Sequence, residues 1–158
     1  MSNEKQSGVK EFEDFTTVFK VHVVDSFFTI GLPVSWEPYE SDRFRAKTQD
    51  DKTHISITTW NLNSDVPIDK PFIESRALHL YEKFVTEGGY EPYDDLVVTD
   101  EYISKSFKVD EEIQYYLTKL YKVNGSVHQT GFIIRDIGDY NPQMRATLLN
   151  IAGTMKIL

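Results

Sequence analysis

The chain of 158 residues contains no cysteine, which excludes disulfide bonds, thiolate metal ligands and a cysteine nucleophile. It also has no apolar run of about 18 residues, the length that a membrane-spanning helix needs. Residues 1–10 lack the apolar segment of a signal peptide. These absences predict a cytoplasmic protein that does not bind membranes.

Positive charge is scarce as well. The chain has 17 Lys and Arg against 25 Asp and Glu, a formal net charge of −8 at pH 7. A field of that sign repels phosphate groups, so we expect no nucleic acid and no anionic membrane surface as a partner. It favours a basic protein partner, although the same charge also serves solubility alone.

Catalytic and metal-binding motifs are missing too. There is no Gly-rich phosphate loop, no Gly-x-Ser-x-Gly elbow and no calcium loop. The four histidines have no local metal-ligand spacing: His22, His54, His79 and His128. The chain therefore predicts a protein without metal or cofactor that is not an enzyme. An enzyme built from distant loops would need a cleft that holds a histidine and a carboxylate within hydrogen-bond reach.

The apolar pattern predicts a single α+β domain over residues 14–158, after a flexible tail at 1–13. Its most informative segment is 27–37, in which an apolar strand ends at Pro33 and Trp36 follows. We expect Trp36 to fill the core, and its alternative role is a platform on which a ligand stacks.

The rest of the chain predicts about six antiparallel strands and two helices. The helices begin at Asp69 and at Asn141, each with a proline in the first turn. Asn124-Gly125 is typical of a type I′ hairpin turn, which would place Tyr121 opposite His128. A three-residue loop over 110–112 would place Phe107 opposite Tyr115.

The pattern Phe28-x-Ile30-x-Leu32-Pro33-x-x-Trp36-Glu37, followed by 44–46 and 55–57, resembles the opening of the Mog1/PsbP-like superfamily. The chain is most similar to its uncharacterised bacterial members. The resemblance covers roughly residues 15–158 and implies an antiparallel sheet with helices on its faces, an α/β/α sandwich. It also implies a binding role, because few members are enzymes, and it carries no shared active-site residues.

Two sites follow as hypotheses. The loop over 88–95 combines aromatic contact area with acidic charge, and it predicts a surface for a basic protein partner. Its candidate residues are Tyr90, Tyr93, Asp94 and Asp95. A bacterial immunity or accessory protein would be the concrete form of this function. The alternative is a small-ligand binding domain, with a pocket between sheet and helix lined by Trp36, Tyr81 and Tyr115.

Overall fold

Antiparallel strands dominate the structure, a computed structural model that describes residues 19–158. The proposed tail at 1–13 lies outside the described residues. The strands are β1 (Phe19–Val24), β2 (Phe28–Pro33), β3 (Glu37–Tyr39), β4 (Phe44–Lys47), β5 (Thr53–Asn61), β6 (Glu91–Pro92), β7 (Val97–Val98), β8 (Tyr102–Val109), β9 (Glu112–Val123), β10 (Ser126–Ile137) and β11 (Lys156–Ile157). The helices are α1 (Lys70–Tyr81), which continues as a π-helical segment (Glu82–Glu87), and α2 (Pro142–Gly153).

The described strands form two sheets, so the expectation of about six strands in one sheet was wrong. The large sheet has eight strands in the order β3-β4-β5-β10-β9-β8-β6, with β7 also paired to β8. The small sheet has the order β1-β2-β11. Strands of two or three residues, such as β6, β7 and β11, are too short to show the alternation of apolar and polar residues from which a strand is predicted. The α+β class itself is confirmed.

The pairing of β9 with β10 confirms the register that the Asn124-Gly125 turn predicts. Asn124 and Gly125 both have positive φ, as the type I′ turn requires, and Tyr121 pairs with His128. The rings of Tyr121 and His128 stack with their centroids 5.9 Å apart, and the Tyr121 hydroxyl lies 2.6 Å from that of Thr130.

The turn between β8 and β9 differs from the expectation by one residue. Asp110 adopts a φ of 56°, which allows Val109 to pair with Glu112 across a two-residue loop. Phe107 therefore lies opposite Gln114 and not opposite Tyr115. A slip of one residue moves a side chain to the other face of a sheet. The Phe107 ring consequently joins the face that Tyr116 occupies.

The two faces of the large sheet have separate cores. On one face, α2 and the small sheet bury a cluster that includes Ile30, Trp36, Tyr115 and Phe132. On the other face, α1 buries a smaller cluster around Ile73. The prediction that Trp36 fills the core is confirmed, since 8% of its surface is exposed. Neither helix in the described part of the chain is long and apolar enough to cross a membrane.

Candidate ligand-binding cleft

Helix α1 is fixed on the sheet by a capped N-terminus and two buried residues. The carboxylate of Asp69 accepts a hydrogen bond from the Phe72 backbone N–H at 3.1 Å and caps the helix. The buried residues of the helix are Ile73 and Ala77. They contact the sheet residues Ile103, Leu120 and Val127. Beyond this contact, the space between helix and sheet opens.

An open cleft of about 460 Å³ lies between the second half of α1, its π-helical extension and strands β5, β9 and β10. We call it the α1 cleft. The sheet contributes mainly apolar and aromatic residues: Trp60, Tyr116, Gly131 and Ile133. The helix contributes three nitrogen-bearing side chains: Arg76, His79 and Lys83.

Gly131 explains why the sheet leaves room at this point. It lies in the middle of β10, and an ideal Cβ added there would meet only the Trp60 ring, at 3.5 Å. That distance is an ordinary van der Waals contact, so a side chain would fit without a backbone clash. A glycine inside a strand often marks a place that something else approaches closely.

The cleft has a fixed guanidinium group. Arg76 donates through Nε and Nη2 to Oε1 of Gln129, at 3.1 and 2.8 Å. Gln129 is 5% exposed and belongs to the central strand β10. Arg76 forms no ion pair with another of the described residues, and no carboxylate lines the cleft within that part of the chain.

Packed aromatic rings close one end of the cleft. The Phe84 ring lies 4.5 Å from that of Tyr116 and 5.6 Å from those of Tyr90 and Phe107. Burial raises the pKa of Tyr116, whose hydroxyl donates to Gln114 Oε1 at 2.7 Å. This hydroxyl stays protonated at neutral pH, and the cluster gives the cleft a rigid wall.

Beneath α1, a second void of about 20 Å³ is lined by the buried Lys105. It has room for about one water molecule. Burial lowers the pKa of Lys105, and its Nζ donates to the backbone carbonyl of Asp94. The amine therefore anchors a loop and has no space beside it for a substrate.

The four residues predicted to bind a partner divide into two groups. Tyr93 and Asp95 are exposed, and the Tyr93 ring stacks on that of Tyr140 at 4.8 Å. Tyr90 is half-buried, since its ring stacks on Phe84. The loop thus offers an exposed tyrosine and an exposed acid side by side.

Asp94 is a structural residue, contrary to its expected place on an exposed surface. Its Oδ2 lies 2.7 Å from Arg145 Nη1 and accepts from the Tyr140 hydroxyl at 3.0 Å. Its Oδ1 accepts from the Ser106 backbone N–H at 2.7 Å. These bonds join the loop to the sheet and to α2, because carboxylates satisfy several donors at once.

The three residues predicted to line a pocket do not meet at one opening. Trp36 and Tyr115 lie in the filled core beneath α2. The Tyr115 hydroxyl accepts from the Asn141 N–H at 2.8 Å, and burial raises the pKa of Tyr115 to about 12. Tyr81 lies on the other face, beside the void under α1. A pocket between sheet and helix does exist, but other residues line it.

The histidines form no catalytic cleft within residues 19–158. His54 lies closest to a carboxylate, with Nε2 3.2 Å from Asp51 Oδ1, at an exposed hairpin turn. His79 lines the α1 cleft without an acid beside it. No three His, Asp or Glu side chains of the described residues are placed to hold a metal ion.

Comparisons with known proteins leave the family open. No protein-family model matches the chain, and none of the curated proteins matches it. A crystal structure from Bacteroides thetaiotaomicron VPI-5482 is similar, with a TM-score of 0.49 and 11% sequence identity. The match covers 86% of this chain and 47% of that one, so the chain spans about half of its length. A likeness of that size carries no argument about function, and membership of the Mog1/PsbP-like superfamily stays a prediction.

Proposed function

We propose that the protein is a non-enzymatic binding module and that its site is the α1 cleft. The observation that carries the proposal is the combination of an open volume of about 460 Å³ with a gap at Gly131 in the central strand. Ligand pockets typically have about 300–1,000 Å³, mostly apolar walls and a few fixed polar groups. Arg76, held by Gln129, is such a polar group.

Binding without catalysis suits the chemistry of the cleft. General acid–base catalysis needs a proton donor or acceptor with a tuned pKa and a partner that orients it. Here the polar groups of the described lining are two cations, two amides, a threonine, a tyrosine and His79, and no carboxylate is among them. The pocket between sheet and helix supports the small-ligand role over a flat protein contact.

A substitution that fills the cleft tests this function. We expect Gly131→Val to leave the fold intact, because its Cβ meets only the Trp60 ring. A thermal-shift screen with small organic acids, amides and amines would identify compounds that stabilise the wild type. Gly131→Val should abolish those shifts, whereas Gly153→Ala, where a Cβ meets nothing within 4 Å, should preserve them. Shifts that survive in Gly131→Val would place the site elsewhere.

A second candidate is a basic protein partner at the surface of Tyr93 and Asp95. The observation that favours it is the exposed Tyr93, 51% accessible and stacked on Tyr140. Such a partner, in the cytoplasm, would suit an immunity or accessory role. Asp95→Lys should weaken salt-sensitive capture of a partner, with Asp65→Lys as the control at an exposed acid on another loop. Equal capture by the two variants would eliminate this surface.

A further inference from the structure

The charges around the α1 cleft differ from those of the whole chain. The net charge is −8, but the described part of the cleft lining has Arg76 and Lys83 and no carboxylate. The nearest acids on the helix, Glu74 and Glu82, are exposed and do not line the cleft, so a ligand inside it would contact cations and no carboxylate of the described residues. The cleft therefore attracts negative charge inside a protein that repels it overall.

Two cations of the large sheet, Arg135 and Lys47, are already neutralised by carboxylates. Arg135 forms a two-point ion pair with Glu112, with N–O distances of 2.8 and 3.1 Å. Lys47 lies 3.0 Å from Asp51. Arg76 has an amide oxygen as its partner in place of a carboxylate, so its full positive charge remains available to a ligand.

The guanidinium group of Arg76 is oriented before a ligand arrives. Both bonds to Gln129 use Nε and Nη2, so the outer edge formed by Nη1 and Nη2 still has donors without a partner among residues 19–158. This edge can hold the two oxygens of a carboxylate in parallel. A group fixed in this way loses little conformational entropy when it binds.

The sheet side of the cleft suits an apolar body. Trp60 is 47% exposed, and its ring lies over Gly131. Ile133 is half-buried next to it on the same strand face. An exposed aromatic ring beside a strand glycine offers a flat surface on which another ring can stack.

We propose that the ligand of the α1 cleft is a small organic acid with an aromatic or alkyl body. Its carboxylate binds Arg76 and Lys83, and its apolar part lies against Trp60 over Gly131. The inference rests on the proposed function and adds the charge and shape of the ligand. It also assigns different tasks to the two sides of the cleft, charge recognition to the helix and apolar contact to the sheet.

A matched series of compounds tests the charge. Phenylacetate, phenylacetamide and phenethylamine share one ring and differ in charge, and acetate and inorganic phosphate supply the anion without the ring. We expect phenylacetate to bind about tenfold or more tightly than the other four, measured by calorimetry at fixed ionic strength. Raising the salt concentration should weaken its binding.

Variants of the two cations complete the test. Arg76→Gln and Lys83→Gln should each weaken phenylacetate binding, Arg76→Gln by about tenfold or more. Lys108→Gln changes the net charge equally at an exposed position outside the cleft and should leave binding unchanged. Because Arg76 also satisfies Gln129, the exposed Lys83, whose Nζ lies 5.9 Å from the centroid of the Phe84 ring, provides the variant that leaves this hydrogen bond intact.

The outcomes separate the two proposals. If all three ring compounds bind equally and Gly131→Val abolishes their binding, the cleft is the site but its ligand is not an acid. Equal binding of acetate, phosphate and phenylacetate would show an anion site without apolar recognition and would overturn the inference. If none of the five compounds binds the wild type, the inference is wrong, and the proposed function is wrong as well if the thermal-shift screen finds no compound whose effect Gly131→Val abolishes.

Discussion

On the α2 face of the large sheet, three side chains are completely or almost completely buried: Tyr115, Leu117 and Phe132. Tyr116 and Ile133 alternate with them along the same two strands, and these two side chains are only half-buried on the α1 face. The strands are the same, so the difference comes from what covers each face. A helix and a second sheet fill one side. On the other side, one helix makes a short contact and leaves the α1 cleft. One face is therefore a filled core, and the other keeps the open volume in which we propose that a ligand binds.

The largest expected effect compares neighbouring residues that point to opposite faces. Phe132→Ala should cost about 3–5 kcal/mol of unfolding free energy, because it opens a cavity in a filled core. Ile133→Ala should cost only about 1 kcal/mol, since its side chain is already half-exposed at the cleft. Urea unfolding measures both. Equal losses would contradict the difference between the faces.

A smaller loss is expected at the contact that ties the loop over 90–95 to α2. Asp94→Asn removes the ion pair with Arg145 and should cost about 2–3 kcal/mol in urea unfolding. The exposed neighbour Asp95 provides the control, and Asp95→Asn should change stability by less than about 0.5 kcal/mol. If both variants lose the same amount, the carboxylate of Asp94 has no special structural role.

Gly131→Val should increase stability, by about 0.5–1 kcal/mol. Glycine is unfavourable inside a strand, and the new side chain would enter open space beside Trp60. Thermal unfolding without ligand measures the change. A clear loss of stability would indicate that this face is as closely packed as the α2 face.

The smallest effect concerns pH and the small sheet. His22 on β1 has its ring centroid 6.1 Å from that of Phe44, and its Nε2 has no hydrogen-bond partner among the described residues. Burial and then the charge of Lys20 lower the pKa of His22 below 6.5.

The unfolded chain takes up a proton at His22 near pH 6.5, whereas the folded chain resists protonation. Stability should therefore be unaffected by this group above about pH 6.5 and should fall as the pH drops toward the folded pKa. His22→Gln should reduce this acid sensitivity in thermal unfolding curves. An identical pH dependence in both proteins would exclude the effect.

Local signals made part of the fold predictable. The turn at Asn124-Gly125 and the caps at Asp69 and Asn141 were read correctly, because each depends on a few adjacent residues. The register between β8 and β9 could not be predicted in this way, because no adjacent residue indicates that Asp110 adopts a positive φ. That single residue decides on which face Phe107 lies.

The candidate site was largely beyond sequence reasoning. Arg76, Lys83 and Trp60 are distant along the chain, and only the packing of α1 on the sheet brings them together. The one available signal was Gly131, a glycine inside an alternating strand. Asp94 and Asp95 look equivalent in sequence, but the ion pair with Arg145 exists only after folding.

An NMR titration of the labelled protein with phenylacetate distinguishes the two candidate surfaces. If the ligand binds in the α1 cleft, the backbone amide signals of Trp60, Arg76 and Gly131 move together and saturate, while those of Tyr93 and Asp95 stay in place. Movement confined to the loop over 90–95, or no movement at all, would contradict the claim that the α1 face of the large sheet is the binding face.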